Sequence, residues 1–262
     1  MSWTKTLGRV SFINCEPLFH GLDKSWKVLP APPSWLTGHL LRKDCIIAPI
    51  PAADYAQYYE ELILIPDIAI SSKGEVGSVL LLGTSEVSEM KRVALPTDST
   101  TSVTLLKYLF QLNDYSPEFV EMGPDLNSML ENCDGCLLIG DRALEAARSN
   151  PSLVKMDLGE EWKLASGYPM VFGVFAARKD SPIAKIKLAH TALLEGLEEF
   201  ESDESIRNEV IKISSEKSTQ SILRLEKYFG EVINRMDEED MNGLTAFLNE
   251  ACNLDKKPKI AW

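Results

Sequence analysis

Through the first 180 residues the apolar positions fall into one recurring unit. A short aliphatic or β-branched run meets a polar or proline-containing turn, and apolar residues at helical spacing follow. Alternation of this kind predicts an α/β organisation. Gly8 to Ile13 alternates as a strand and runs into Asn14 to Pro17, where Asn can cap and Pro can occupy an early position of a helix carrying Leu18, Phe19 and Leu22. Cys45 to Ala48 reads as a buried strand; Pro49, Ile50 and Pro51 follow, and Ala52, Ala53 and Tyr55 open a helical stretch. Val93 to Leu95 is a short strand, Pro96 to Ser102 a polar turn, and Val103, Leu106, Leu109 and Phe110 recur at helical spacing. Cys136 to Ile139 ends in Gly140 and Asp141, ahead of the helix formers Arg142, Ala143, Leu144, Ala146 and Ala147.

Two more apolar runs, Val76 to Leu82 and Met170 to Ala177, are long enough for strands but lack a helix-start signal directly behind them. They are read as the two crossings between lobes. After Ser181-Pro182 the pattern changes to amphipathic helices near 183–201, 203–213, 217–234 and 238–252, with no strong strand pattern.

The 262 residues sit between one large domain and two small ones, so two lobes are the working assumption. A net charge of -12 disfavours nucleic acid and anionic membranes as partners; the short basic run at Lys256, Lys257 and Lys259 reads as a solvated terminus. No apolar run approaches a membrane span, and residues 1–9 lack the apolar stretch of a signal peptide, so a cytoplasmic protein is expected. Five cysteines, an odd number, fit free thiols.

Strand-to-helix junctions are where open α/β sheets bind ligands, because helix N-termini present unpaired N–H groups and the positive end of the dipole. The junction at Asp98, Ser99, Thr100, Thr101 and Ser102 adds hydroxyls to those donors, a chemistry suited to a carboxylate or phosphate; ordinary N-capping is the alternative. Asn14 carries the same two readings. Gly140-Asp141 reads as a tight turn with an N-cap Asp that could also accept from a substrate hydroxyl. Cys133 and Cys136 have redox or half-zinc spacing, but no second pair exists and Cys136 begins an apolar strand, which favours core packing. Walker, Gly-x-Gly-x-x-Gly and Gly-x-Ser-x-Gly motifs are absent, and no conventional nucleophile or base stands out.

These junctions resemble, in order, the chorismate dehydratases of the futalosine route to menaquinone. Gly8 to Asn14 with Glu16 to Leu18, Ala48 to Pro51 with Asp54-Tyr55, Ile68 to Ser71, Gly77 to Leu81, Val93 to Leu95 with Thr101-Ser102, Leu138 to Asp141, Asp157 to Trp162 and Pro169 to Arg178 carry the resemblance. It covers about residues 7 to 180; the helical tail agrees mainly in character. Cys15 stands where the family pattern has Thr, and Asp44 to Ile47 departs from its Leu-Asp-Val-Ala.

The resemblance implies an α/β, two-lobed type 2 periplasmic-binding-protein-like fold with a helical C-terminal segment. Lobe 1 is expected from 1–91 and 176–262, and lobe 2 from 92–175. It implies a lyase that removes water from chorismate to give 3-[(1-carboxyvinyl)oxy]benzoate. No metal or other cofactor is implied, the partner is the small-molecule substrate, and a homodimer is left open. Asn14 and Asp141 are the expected catalytic residues; Ser11, Pro49, Ser78, Thr101, Ser102, Gly140 and Phe172 are the expected substrate-binding ones. The base is either the substrate's own enolpyruvyl carboxylate or one of Asp141 and Glu16. The other readings are a non-catalytic cytoplasmic solute-binding or sensor protein for a small carboxylate, and the sister enzyme that forms dihydroxynaphthoate.

Overall fold

A computed structural model describes residues 2–262. In chain order the elements are β1 (Thr6–Val10), α1 (Glu16–Phe19), β2 (Lys27–Ala31), α2 (Pro33–Leu41), β3 (Ala48–Pro51), α3 (Ala52–Gln57) and β4 (Leu62–Ser72). Next come β5 (Val79–Gly83), β6 (Arg92–Pro96), α4 (Thr100–Leu112), β7 (Glu118–Met122), α5 (Leu126–Asn132), β8 (Gly135–Ile139), α6 (Gly140–Ser149), β9 (Val154–Asp157), α7 (Leu158–Ser166) and β10 (Met170–Arg178). The chain finishes with α8 (Ile183–Ser202), α9 (Glu204–Ser218), α10 (Ile222–Glu231), β11 (Ile233–Arg235) and α11 (Glu238–Glu250).

The strands form two main sheets. One has four antiparallel strands in the order β11-β4-β10-β3; the other has five, in the order β7-β6-β8-β5-β9, with β6 parallel to β7 and β8 while β5 runs antiparallel to β8 and β9. β1 and β2 pair in parallel beside the four-stranded sheet, and β1 reaches it through the Gly8 N–H, which donates to the Ile47 carbonyl at 2.8 Å. Gly8 is required there, because a Cβ would stand 2.5 Å from that of Ala48. β3, β5 and β8 are buried along their whole lengths, which is why they appear in the sequence as unbroken apolar runs instead of alternating ones.

The lobe boundaries were expected at 91/92 and 175/176, and the strands divide between the sheets at other points. β5 already belongs to the five-stranded sheet, and β10, from Met170 onward, belongs to the four-stranded one. β5 and β10 are therefore each a strand of a single sheet, and the passages between sheets lie at residues 73–78, which take in the first three residues of the Val76 run, and at α7 with residues 167–169. The reason is partner choice: Val79 pairs with Ile139 and Gly173 with Pro51, partners too distant for local pattern to reveal.

The tail is helical with one exception. β11 adds three residues to the edge of β4, and the helix read as starting at 217 begins at Ile222. α9 instead continues to Ser218 and stops at Thr219, which is left-handed at φ 59°. Ser221 then caps α10 by accepting from the Arg224 N–H at 3.2 Å. α11 opens on a reciprocal cap between Asp237 and Asp240, each side chain accepting from the other's backbone N–H.

Candidate active site

A cleft lined mostly by apolar side chains, with a few polar groups among them, lies between the two main sheets, the composition usual for a small-molecule site. All four strand-to-helix junctions reach it. β1 delivers Phe12 and Asn14, β3 delivers Pro49, Ile50 and Pro51, the β6–α4 junction delivers Ser99, Thr101 and Ser102, and β8 delivers Ile139 and Gly140. Ser78 and Val79 enter from the start of β5, and Phe172 and Gly173 from β10. Of the expected substrate-binding residues, Pro49, Ser78, Thr101, Ser102, Gly140 and Phe172 line this cleft.

Asn14 sits in a 3-10 turn, Ile13–Cys15, and caps no helix. It is only 8% exposed, and its Oδ1 is buried without a hydrogen-bond partner among the described residues. An acceptor left unpaired in this way costs about 1–3 kcal/mol, and Asn14 is among the residues that line the cleft. The capping alternative also fails at the β6–α4 junction. Ser99 occupies the N-cap position of α4 with no side-chain cap bond. Thr101 Oγ1 accepts from the Ala53 N–H at 3.1 Å, which ties the start of α4 to the start of α3 and leaves the hydroxyl proton to donate. Ser78 Oγ accepts from the Tyr228 hydroxyl at 3.1 Å, and the Ser78 carbonyl accepts from the Gly140 N–H at 2.7 Å. Gly140 has φ +60°, and a Cβ on it would stand 2.6 Å from the Phe12 ring, so glycine is required on both counts.

Among the described residues, no ionisable side chain lines the cleft. The nearby charges are paired behind its walls. Arg142 donates to Asp98 at 2.5 Å and lies over the Phe12 ring at 5.4 Å; Glu16 is held by Arg9 and, at 2.7 Å, by Lys217. What faces inward is neutral: hydroxyls, one amide, apolar walls and the N-terminal ends of α4 and α6, whose dipoles favour anions.

Two expected residues lie elsewhere. Ser11 is exposed just past the end of β1, and its N–H donates to the Ala31 carbonyl at 3.2 Å, while Val10 and Phe12 on either side of it line the cleft. Asp141 is not the N-cap of α6, since Ile139 holds that position. Its Oδ1 instead accepts from the Ile13 N–H at 3.2 Å, across the back of the turn that carries Asn14. Burial raises its carboxyl to about 6, with Glu16 adding to the rise and the Ile13 bond, Arg142 and Arg9 opposing it. The general inward-facing apolar wall, including Ile70 and Val232, was not anticipated; Val232 follows α10 in a stretch too short for any periodicity.

The cysteines are ordinary core thiols. Burial pushes Cys15 and Cys136 up to about 12 and raises Cys133, the opposite of an activated thiol. Among the described residues no three of His, Cys, Asp and Glu converge as a metal-binding group.

Residues 5–253 match the model of a protein family described as menaquinone biosynthesis. The chain belongs to that family. A chorismate dehydratase of Thermus thermophilus is similar to it at 31% identity, over 96% of each chain. Among solved structures, a protein of Archaeoglobus fulgidus superposes with a TM-score of 0.70 at 19% identity, covering 94% of this chain and 96% of the other. The alkanesulfonate-binding protein of Xanthomonas axonopodis pv. citri, bound to MOPS, does so at 0.67 and 12%, covering 98% and 96%. A Candida albicans protein with the generic periplasmic-binding-protein fold gives 0.67 at 13%, covering 97% and 96%. These likenesses establish the fold of the family member described here as periplasmic-binding-protein-like. No helix among its described residues is long and apolar enough to cross a membrane.

Proposed function

We propose that this protein is a chorismate dehydratase of menaquinone biosynthesis and that the cleft between its sheets is the active site. The observation that carries the assignment to this cleft is its neutrality. A wall with hydroxyls, an orphaned buried amide oxygen and two helix N-termini, but no ionisable side chain, suits a substrate that brings its own charges. Chorismate has two carboxylates, a ring hydroxyl and a largely apolar ring. Thr101 and Ser102 at α4 hold one carboxylate, Ser78 and the α6 terminus hold a second polar group, and Pro49, Ile50 and Phe172 enclose the ring.

Dehydration removes the proton from the ring carbon bearing the ether and the hydroxyl from its neighbour. Water departs, the ring becomes aromatic and the enolpyruvyl ether stays attached. With Glu16 and Asp141 both outside the cleft lining, no protein base faces the reacting carbon, so the substrate's enolpyruvyl carboxylate takes the proton and passes it to the departing hydroxyl, which leaves as water while the C–H electron pair enters the aromatic ring. Asn14 holds the conformation in which it reaches, and positioning of this kind supplies several kcal/mol. A biosynthetic enzyme of this kind belongs in the cytoplasm.

The test is purified protein incubated with chorismate alone, followed by mass spectrometry. The expected product is lighter by one water and retains the enolpyruvyl group. Unchanged chorismate with reversible binding would replace this reading with a solute-binding or sensor protein.

A further inference from the structure

The turn that carries Asn14 is gripped by three consecutive residues of α6. The Phe12 ring lies so close over Gly140 that no Cβ fits between them, and the Arg142 guanidinium covers the same ring at 5.4 Å. Between those contacts, Asp141 Oδ1 accepts the Ile13 N–H at 3.2 Å, joining residues 128 apart in sequence. Asp141 does not line the cleft with Asn14. It borders a separate open hollow, together with Glu145 and Lys217. Its position is therefore wrong for taking a proton from a substrate beside Asn14 and right for bracing the backbone one residue before it.

We propose that Asp141 is a positioning residue: by holding the Ile13 N–H it fixes the turn so that the Asn14 amide faces the substrate. The proposal rests on the reading that chorismate is dehydrated in this cleft. It separates α6 into two tasks, with Gly140 admitting the Phe12 ring and Asp141 setting the height of the turn. Glu16, the other carboxylate near the turn, is occupied by Arg9 and Lys217 and does not share the work.

The experiment compares wild type, Asp141→Asn and Asp141→Ala in steady-state turnover of chorismate and in amide hydrogen exchange of the peptide spanning residues 11–15. Asp141→Ala should lower kcat about tenfold or more while KM changes less than about threefold, because one charge-assisted hydrogen bond that serves the reactive geometry is lost. Asp141→Asn keeps a carbonyl oxygen at the same place and should restore kcat to within about threefold of wild type. Exchange across 11–15 should accelerate in Asp141→Ala and not in Asp141→Asn. Loss of turnover in Asp141→Asn with normal exchange would overturn the proposal in favour of a proton-transferring Asp141. Equal exchange in all three proteins would overturn it as well. Should wild type leave chorismate unchanged, the functional reading fails, and the exchange comparison still decides whether Asp141 holds the turn.

Discussion

Replacing Thr101 by Val separates two jobs that one hydroxyl performs. Thr101 is 2% exposed, and its Oγ1 accepts from the Ala53 N–H at 3.1 Å, while its own proton remains for a ligand in the cleft. Val keeps the shape and removes both functions. The Ala53 N–H is then buried with no acceptor, at a cost of about 1–3 kcal/mol, which for a chain of this size lowers Tm by roughly 2–12 °C. On the ligand side, loss of a hydrogen bond to a carboxylate costs about 1.5–3 kcal/mol, so Kd should rise roughly tenfold to 150-fold. Differential scanning fluorimetry reads the first effect, and calorimetric titration with 3-[(1-carboxyvinyl)oxy]benzoate reads the second. Thr101→Ser, which keeps the hydroxyl, should show neither in full. A Val variant that is less stable but binds the product with wild-type affinity would reduce Thr101 to a link between α3 and α4. An unchanged Tm would overturn the hydrogen-bond argument itself.

Gly140→Ala places a side chain at φ +60° and a Cβ 2.6 Å from Phe12. Urea unfolding should show a loss of at least about 1–2 kcal/mol from the backbone alone, and turnover should fall because the ring must move; a fully active, equally stable variant would contradict the packing described. For Asp141, whose folded carboxyl is raised from 3.8 to about 6, the native state binds more protons than the unfolded chain across that window. Its stabilising contribution is present below the lower value and is lost as pH rises through the upper one. Unfolding titrations should therefore shift in favour of Asp141→Asn relative to wild type as pH rises from about 4 to about 7, and parallel curves would show that the carboxyl is not raised. Cys15 and Cys136 are fully buried with thiols at about 12. Iodoacetamide at neutral pH should leave both unlabelled in the native protein and label them on unfolding; a native disulfide between Cys133 and Cys136 by mass spectrometry would restore the redox reading.

The junctions were legible because their strands are short apolar runs and a Pro, Ser, Thr or Gly stands at or beside each helix start. Ala48 to Pro51, Cys136 to Ile139 and the hydroxyl run at Thr101 all show this, and all lead into the cleft. Ser11 lies just past the end of β1, exposed, between Val10 and Phe12, which line the cleft, and nothing in the residue types around it distinguishes the three positions. Asp141 has the residue type of a cap but stands two positions past the N-cap Ile139, and its partner Ile13 is too remote for spacing to suggest. Ser78 came only from the family resemblance; nothing local distinguishes it, since its value depends on Tyr228 and Gly140. β11, three residues long, carries no periodicity, and the sheet to which β5 and β10 belong is a matter of pairing across the chain.

The distribution of strands between the sheets also bears on how the chain assembles during synthesis. Every strand of the five-stranded sheet lies between Val79 and Asp157, one uninterrupted stretch. The four-stranded sheet has β4 at its centre against β10, and it gains β11 only near the end of the chain. As the protein emerges N-terminus first, β3 and β4 must wait, their apolar faces uncovered, while the whole intervening sheet is made. Once that sheet has folded, it draws its own ends together and shortens the loop that β4 and β10 must close, which lowers the entropic barrier to their pairing. The cleft, which needs Phe172 from β10 and Val232 beyond α10, therefore has its full lining only after nearly all of the chain has been made.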